Sequence, residues 1–436
     1  MRIFFLFLVL IVNSRICAAD DYWIQQTTPV NISLYKVSFA DSLHGWAAGN
    51  EGIIIYTSNG GVNWETQNSP INFFIYDLQA INQRLIWGLA NDSYGSGTAV
   101  LSTTNGGINW HMSRYPDTTL FLYAIFFKDS LNGWMGGSLG KIFKTTNGGN
   151  NWFSVHSDSS SSSYNPVLHI SFVNSDTGFA CGGYMDLAGV IWKSTDSGMN
   201  WSSRIVCSEP VFDIVMLNPS NVVMSGGDFD FGASFTTTTD FGTNWSCNML
   251  NHFGIGYGMA FRTFTEGWMT LGISPGFEMT VNAGLNWTYI GVADTSQLFD
   301  IEFTDPYHGW AVGRYGRVMK FNREMIGVKK PITSPVPISF ALYQNYPNPF
   351  NPSTLIKYEV PSVYNDLQPI VKLTVYDILG RIAVTLVNKQ QKHGTYEIEW
   401  NAVDYPSGIY FYTLQASAAS DDVQLYSESR KMILLK

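Results

Sequence analysis

The sequence predicts an all-β chain built from a repeated unit of short strands, and two observations support this prediction. First, an eight-residue pattern recurs six times: Ser/Thr, any residue, Asn/Asp, any residue, Gly, any residue, Asn, Trp. Its copies are Thr57–Trp64, Thr103–Trp110, Thr145–Trp152, Ser194–Trp201, Thr238–Trp245 and Thr280–Trp287. Second, runs rich in Val, Ile, Phe and Tyr alternate with Gly-rich turns between the copies, which is a strand signal. A period of about 40–50 residues is typical of propellers and solenoid arrays.

The residue types of the eight-residue pattern suit a tight turn between two strands. The Asn/Asp side chain can accept hydrogen bonds from backbone amides two residues on, and the Gly can adopt a positive φ. The hydroxyl can close the turn, and the Trp begins the next strand with a large apolar surface. We interpret the pattern as scaffold. It resembles the Asp-box of the bacterial-neuraminidase-type repeat, although only Asp196 and Asp240 keep the aspartate; the other copies have Asn59, Asn105, Asn147 and Asn282.

A second, looser pattern precedes each turn motif and predicts two further strands. It is clearest at Phe39–Gly52, Phe127–Gly140 and Phe303–Gly316, and degenerate at Phe172–Gly183 and Phe261–Gly272. Together the two patterns predict four strands in each unit. One position just before Gly-Trp is occupied by His44, Asn132 and His308, which we predict to be turn residues and not catalytic groups.

The number of units predicts how the array closes. Six complete units end at Trp287, and a seventh supplies three strands up to about Phe321 without a turn motif after them. The N-terminal segment Tyr22–Thr27 resembles the residues that follow the turn elsewhere, such as Asn63–Gln67. Because closing a ring removes exposed sheet edges, we predict a seven-bladed β-propeller over residues 20–322, closed by an N-terminal strand that contains Trp23.

The N-terminus predicts export. Residues 1–19 have a positive start, an apolar run and a small-residue cleavage site, as a secretory signal peptide does, although Cys17 could instead be a lipid-modified cysteine. No later apolar stretch reaches the roughly 18 residues of a membrane-spanning helix. Cys181, Cys207 and Cys247 allow at most one disulfide, and three small buried hydrophobic residues are the favoured interpretation.

The C-terminal part predicts a second domain. Residues 323–339 are rich in Pro and should form an extended linker, whereas 340–436 predict a small immunoglobulin-like β-sandwich. Its strands are predicted at Leu355–Val360, Val371–Tyr376, Ile382–Val387, Tyr396–Trp400, Ile409–Leu414 and Val423–Leu435.

Three blocks of this domain, Leu342–Thr354, Val375–Arg381 and Pro406–Tyr412, resemble the C-terminal sorting domain of type IX (Por) secretion substrates. The resemblance implies a type IX secretion translocon as partner, and a secreted or cell-surface location in a Gram-negative bacterium. An adhesive module is the alternative.

Charge excludes some partners of the propeller. Residues 20–322 hold 12 Lys/Arg against 24 Asp/Glu, whereas 340–436 hold 8 against 9. A surface of that sign repels nucleic acid and anionic lipid. Residues 22–322 resemble photosystem II assembly-factor-type propellers, but only Arg314 and Arg317 cluster, so the resemblance implies the fold and not the partner.

A ligand site is predicted on the face opposite the turn motifs, because loops carry function. The candidate residues are Glu51, Asp92, Tyr94, Tyr115, Asp117, Tyr184, Asp186, Asp228, Asp230, His252, Glu278, Arg314 and Tyr315. Aromatic residues among carboxylates suit a carbohydrate or protein ligand, although loops that bind nothing are an equal alternative. The serine run at Ser157–Ser163 is interpreted as a flexible loop.

We therefore predict an exported noncatalytic binding or scaffold propeller with no catalytic residues, no metal and no cofactor. The alternative is an extracellular glycoside hydrolase, sialidase-like or glucanase-like, because such enzymes share the turn motif. Asp228 and Asp230 could serve such an enzyme, but calcium binding or plain solvation explains that pair equally well. Two carboxyl groups facing each other across a central cleft at about 5–10 Å would favour the enzyme.

Overall fold

The computed structural model describes residues 22–92, 95–158, 160–218, 220–250, 252–292, 297–322, 340–361, 369–392, 394–417 and 424–435. The chain divides into two compact units, Met1–Ile326 and Gly327–Lys436. The predicted signal peptide, the predicted linker and Tyr94 lie outside the described residues.

The first unit is a propeller of seven sheets in the described part of the chain. The N-terminal strand is β1 (Trp23–Gln26). Blade one consists of β2 (Leu34–Phe39), β3 (Gly45–Gly49), β4 (Ile54–Thr57) and β5 (Glu65–Thr66). Blade two consists of β6 (Ile75–Ala80), β7 (Ile86–Asp92), β8 (Gly97–Thr103) and β9 (His111–Arg114). Blade three consists of β10 (Leu122–Phe127), β11 (Gly133–Gly137), β12 (Ile142–Thr145) and β13 (Phe153–Ser154).

Blade four consists of β14 (His156–Ser157), β15 (Val167–Phe172), β16 (Gly178–Tyr184), β17 (Ala188–Ser194) and β18 (Asn200–Cys207). Blade five consists of β19 (Val211–Met216), β20 (Val222–Asp228), β21 (Gly232–Thr238) and β22 (Ser246–Met249). Blade six consists of β23 (Met259–Phe261), β24 (Gly267–Thr270), β25 (Phe277–Thr280) and β26 (Thr288–Ile290). Blade seven consists of β27 (Leu298–Asp305), β28 (His308–Gly313), β29 (Val318–Phe321) and β1. Short 3-10 turns lie at Asn50–Gly52, Ser138–Gly140, Ser161–Tyr164 and Arg314–Gly316.

The eight-residue motif forms the same hydrogen-bonded turn in all six copies. In the first copy the Thr57 hydroxyl donates to Asn59 Oδ1 at 3.0 Å and accepts the amide of Gly61 at 2.9 Å. Asn59 Oδ1 also accepts the amide of Asn63, four residues on, at 2.9 Å. The expectation that this side chain bonds an amide two residues on is therefore wrong. The difference arises because two consecutive left-handed residues, here Gly60 and Gly61 with φ of 67° and 88°, fold the chain back over the side chain.

The looser motif is explained by packing between first and second strands. A Cβ on Gly45 would lie 2.4 Å from the ring of Phe39, so this position must be Gly for the ring to cover the second strand. Phe39 then stacks on Trp310 of the preceding blade, with ring centroids 3.5 Å apart. The same arrangement joins Phe127 to Trp87 at 4.0 Å. Each Phe and Gly-Trp pair thus helps to join two blades.

His44, Asn132 and His308 lie where the turns between first and second strands end, and His308 is also the first residue of β28. Each contacts the Asp three residues earlier, and that Asp carboxylate also accepts its backbone amide. These contacts close the turn itself. The prediction that the three are turn residues is confirmed.

The ring closes through the N-terminal strand, as predicted. β1 pairs antiparallel with β29, with Trp23 opposite Phe321. Trp23 is 1% exposed and stacks on Phe277 with ring centroids 4.9 Å apart. The first strands β2, β6, β10, β15, β19, β23 and β27 contact one another in cyclic order, and β27 meets β2.

Two contacts at the outer edge of the ring differ from the expectations. Cys207 and Cys247 form a disulfide between β18 and β22, so the interpretation of three buried hydrophobic cysteines is wrong for this pair, whereas Cys181 is buried and free. The serine run is anchored to blade four, because Asp158 accepts the amide of Ser203 at 2.7 Å. Sequence spacing could not show that these outer segments are neighbours in the ring.

The second unit is a sandwich of two sheets. Its strands are β30 (Ala341–Leu342), β31 (Ser353–Val360), β32 (Ile370–Asp377), β33 (Ile382–Gln390), β34 (Gly394–Asn401), β35 (Gly408–Ser417) and β36 (Gln424–Leu434). One sheet has the order β30-β31-β34 and the other β33-β32-β35-β36. Buried residues such as Tyr358, Trp400 and Tyr412 form the core. The six predicted strands are confirmed, and the two-residue β30 adds a seventh.

Candidate binding site

Two faces of the propeller follow from the antiparallel order of each blade. The turn motifs and the turns between first and second strands lie on one face, which we call the lower face. The connections between second and third strands, and those between blades, lie on the opposite, upper face. The predicted residues in or next to these upper connections are Glu51, Asp92, Tyr115, Asp117, Tyr184, Asp186, Asp228, Asp230, His252, Arg314 and Tyr315.

Glu278 differs from the expectation of a loop residue. It lies in β25, opposite Met269 and Tyr289, and is fully buried. Both of its carboxyl oxygens lack a hydrogen-bond partner among the described residues, and burial raises its pKa to about 8. His252 covers it, with Nδ1 2.5 Å from Oε1 but outside hydrogen-bond geometry. Burial therefore favours the neutral form of this carboxyl group and makes it inaccessible to a ligand on the surface.

Blades four and five bring three predicted carboxylates together. Asp186, Asp228 and Asp230 each have an oxygen within 4.8 Å of the others, a spacing that could hold a metal ion. Asp228 is buried and accepts the amides of Asp230 and Phe231 at 3.1 Å and 2.6 Å. Glu209 lies beside them, accepts the amide of Asp186, and has a pKa raised by burial.

Blade seven carries the predicted site residue Arg314, together with Arg317, next to a cavity of about 490 Å³. Its lining is Gln25, Gln26, Thr27, Thr28, Val30, Arg314, Tyr315, Gly316 and Arg317. Arg317 is buried and donates to Gln25 Oε1 at 3.1 Å, whereas Arg314 lies over the ring of Tyr315 at 4.8 Å. The N-terminal closure strand thus forms one wall of this cavity.

The centre of the ring contains charged residues that the sequence did not single out. One equivalent position lies near the axis in each blade, on the first strand or, for Gly258, directly before it: Lys36, Asp77, Ala124, His169, Asp213, Gly258 and Asp300. Lys36 Nζ lies 3.9 Å from Asp77 Oδ1 and 3.7 Å from Asp300 Oδ1. His169 Nδ1 lies 3.3 Å from Asp213 Oδ1. Two carboxyl groups therefore pair with one ammonium group, and a third lies beside an imidazole.

Burial and mutual attraction determine the protonation of these axial residues. Burial alone would lower the pKa of Lys36, but Asp300 and Asp77 outweigh it and raise that pKa. Burial raises the pKa of Asp300 to about 6 against the opposing effect of Lys36. Burial and Lys36 together lower the pKa of His169 to about 4, so this imidazole is neutral at neutral pH.

The axial aspartates also join neighbouring blades. Each carboxylate accepts a backbone amide from the first strand of the next blade: Ile125 N to Asp77 at 2.8 Å, Met259 N to Asp213 at 2.8 Å, and Val37 N to Asp300 at 2.9 Å. A buried amide left without an acceptor costs about 1–3 kcal/mol. The aspartates are therefore structural links of the ring.

A second set of links lies two residues further along the first strands. Glu302 accepts the amide of Phe39 at 2.7 Å, and Gln79 accepts that of Phe127 at 2.5 Å. Burial raises the pKa of Glu302 to about 8. Glu302 is thus protonated at neutral pH and makes the same kind of link as the neutral Gln79.

Above the charged layer, aromatic side chains surround the upper mouth of the channel. In six of the first strands a β-bulge falls one residue before the axial position, between pairs such as Leu34 and Lys36. The residues at this level are Tyr35, Tyr76, Tyr123, Leu168, Phe212, Tyr257 and Phe299. A bulge re-aims a side chain, which turns these residues toward the axis. We call the six aromatic members the aromatic collar.

The rings of the aromatic collar contact one another around most of the mouth. Tyr35 stacks on Phe299 with centroids 4.3 Å apart, and Phe212 meets Tyr257 edge-on at 4.8 Å. Phe74, from a connection between blades, bridges Tyr35 and Tyr76 at 4.6 Å and 4.3 Å. All collar members stay partly exposed, and Tyr76 reaches 37%. The collar is therefore a preformed apolar rim above an acidic floor.

A signal for the collar was present in the sequence. An aromatic residue precedes the axial residue by one position in Tyr35-Lys36, Tyr76-Asp77, Tyr123-Ala124, Phe212-Asp213, Tyr257-Gly258 and Phe299-Asp300. Alignment of the first strands across all seven units would have found it. The two patterns that were aligned lie in later strands and turns.

These features define the class of the protein: a seven-bladed β-propeller with Asp-box turns and an aromatic rim at one mouth of its channel. Family models give the more particular assignment. Residues 16–117 and 109–267, together more than half of the chain, match the model of the photosynthesis system II assembly factor YCF48. The chain belongs to this family.

Solved structures agree on the fold. A structure described as YCF48 bound to D1 peptide is 18% identical, with 69% of this chain and 96% of that chain covered and a TM-score of 0.56. YCF48 from Cyanidioschyzon merolae is 18% identical, with 70% and 99% covered and a TM-score of 0.57. The GH74 enzyme of Niastella koreensis is 11% identical, with 92% and 68% covered and a TM-score of 0.54. A search of curated proteins finds no match.

The C-terminal domain shows by which route the protein is exported. Residues 344–425 match the model of the secretion system C-terminal sorting domain. The protein is therefore a substrate of type IX secretion, with a destination outside the cell or at its surface. Among the described residues no helix has the length and hydropathy of a membrane span.

Proposed function

We propose that the propeller is a noncatalytic binding module that holds a segment of a partner protein on its upper face after secretion. The observation that carries the proposal is the difference between the two layers of the channel. The axial carboxylates are occupied by backbone amides and by Lys36. The members of the aromatic collar above them are partly exposed.

Two further facts support a polypeptide as the ligand. A member of the same family has been solved with a bound peptide, as its description states. The upper face also carries exposed apolar side chains next to carboxylates, including Leu187 at 72%, Phe231 at 61% and Phe253 at 64%. Exposed apolar clusters with polar neighbours are typical of protein contact sites.

Glycoside hydrolysis is the second candidate, because the GH74 enzymes share the fold. Asp77 and Asp300 lie on either side of Lys36, within 4 Å of the same ammonium. These two carboxyl oxygens are therefore at most 7.6 Å apart, the sum of 3.9 and 3.7 Å, which is below the upper limit of about 9.5 Å for glycosidases. A general acid or a nucleophile must reach the sugar, however, and these side chains are only 10% and 9% exposed and hold backbone amides. We therefore favour binding without catalysis.

One experiment separates the two candidates. The full-length protein is incubated with soluble xyloglucan and with a chromogenic sialoside, and is probed in parallel against an array of random 12-residue peptides. We expect no release of reducing sugar or chromophore, and retention on a subset of the peptides. Sugar release that is abolished by Asp77→Asn or Asp300→Asn would overturn the proposal, and so would failure to bind any peptide.

A further inference from the structure

We infer that the aromatic collar is a socket for a single cationic side chain, Arg or Lys, of a bound polypeptide. This inference rests on the proposed function and adds the chemistry of the ligand. It follows from three properties of the channel mouth: the faces of its rings, the charge of its floor and the packing of the rings against one another.

The rings offer the electron-rich surfaces that attract cations. Collar positions on adjacent first strands place Phe212, Tyr257, Phe299 and Tyr35 in one continuous series, with centroids 4.8, 6.5 and 4.3 Å apart. A cation within about 6 Å of such a ring is attracted by its quadrupole, more strongly where water is excluded. Burial raises the pKa of Tyr35, Tyr76 and Tyr257, so their hydroxyls stay neutral and can accept hydrogen bonds.

The floor favours a positive charge. At the axial positions Asp77, Asp213 and Asp300 stand against one ammonium group, that of Lys36, and His169 is neutral at neutral pH. Lys36 pairs with Asp77 and Asp300, whereas the third carboxylate, Asp213, lies 3.3 Å from the neutral imidazole of His169. The negative potential of these carboxylates would repel an acidic ligand.

The packing of the rings favours a side chain over a sugar. A sugar stacks on an open, flat aromatic face. The contacts of Phe74 with Tyr35 and Tyr76, and of Phe212 with Tyr257, are edge-to-face with interplanar angles of 64°, 68° and 64°. Neighbouring edges therefore interrupt the flat surface that a sugar needs, whereas a cationic side chain needs only part of one ring face.

The test uses blocked pentapeptides of the form acetyl-Gly-Gly-Xaa-Gly-Gly-amide, with Arg, Lys, citrulline or Glu at the centre. Binding to the full-length protein is measured by saturation-transfer NMR and titration. We expect the Arg and Lys peptides to bind at least tenfold more tightly than the citrulline peptide, which has nearly the shape of Arg without its charge. The Glu peptide should bind least. Equal binding of the Arg and citrulline peptides would overturn the inference, as would no binding of the Arg peptide at 10 mM.

Variants locate the site. Tyr76→Leu and Tyr257→Leu each remove one ring of the collar, and each should weaken binding of the Arg peptide about tenfold. The matched control is Tyr164→Leu, since Tyr164 is 62% exposed and lies outside the collar. Thermal unfolding of each variant confirms that it is folded. The inference would be overturned if the collar variants bound the Arg peptide as tightly as the wild type does. If the peptide array still showed binding in that case, the proposed function would stand without the cation socket.

Discussion

Replacement of Lys36 by Met should destabilise the propeller by about 3 kcal/mol at pH 8. Lys36 Nζ lies 3.7 Å and 3.9 Å from two carboxylates, and its side chain is only 20% exposed. At an effective dielectric constant of about 20, each pair contributes roughly 4 kcal/mol of attraction, from which several kcal/mol of ammonium desolvation must be subtracted. In the Met variant the ammonium is gone, but Asp77 and Asp300 stay buried as unpaired charges.

The loss should depend on pH with a definite sign. Burial already raises the pKa of Asp300 to about 6, and removal of Lys36 must raise it further. A carboxyl group whose pKa is higher in the folded state loses stability as pH rises through that pKa. The destabilisation by Lys36→Met should therefore be largest at pH 8 and clearly smaller at pH 5, where protonation removes part of the unpaired charge.

Urea unfolding followed by tryptophan fluorescence measures this effect. All tryptophans except Trp400 lie in the first unit, so the signal reports on the propeller. Lys128→Met on the exposed surface is the matched control. Adding Asp77→Asn and Asp300→Asn to the Met variant keeps acceptors for the backbone amides and should restore most of the stability. A Met variant within about 0.5 kcal/mol of wild type at pH 8, or an equal loss at both pH values, would refute the electrostatic role of Lys36.

Three further predictions concern the links, the closure and the tail. Glu302→Gln should stabilise the propeller by about 1–2 kcal/mol at pH 8.5 and hardly at pH 5. The pKa of Glu302 is raised to about 8 in the folded protein, so this residue costs stability only as pH rises above the pKa of about 4.3 that it has in the unfolded chain. Equal urea midpoints for the variant and the wild type at pH 8.5 would contradict this. Trp23→Ala should cost about 3–5 kcal/mol, since Trp23 is 1% exposed; a thermal midpoint within 2 °C of wild type would mean that the ring does not depend on β1. Removal of residues 429–436 should leave the propeller folded but retain the protein in the periplasm, because most of β36 is lost from its sheet; cell fractionation that finds equal amounts outside the cell would contradict the role of the tail in secretion.

The sequence predicted those parts of the fold that depend on local chemistry. Thr57 and Asn59 form their turn with residues at most four positions away, so the repeated motif was enough to identify it. Trp23 was assigned to blade seven because its segment resembles the other outer strands. This similarity of sequence was informative because the outer strand has an equivalent place in each blade.

The channel could not be predicted in the same way, because its contacts join distant residues. Lys36 meets Asp300 only after the ring has closed, and Asp213 reaches its donor Met259 in the next blade. The prediction of Glu278 as a loop residue failed for a similar reason: β25 is short, and the residue faces a neighbouring blade that local sequence does not reveal. Exposure on a predicted loop was therefore a poor guide to the chemistry at the axis.

The position of β1 also affects the order in which the protein can fold. Trp23 is among the first described residues to be synthesised, yet its partner Phe321 lies at the opposite end of the propeller sequence. Until β29 is complete, the growing chain has an unpaired strand at one end and an incomplete blade at the other. Contacts of such long sequence separation form slowly and leave strand edges exposed to aggregation. Productive folding of the ring is therefore a late event, and a chain interrupted before β29 would remain open.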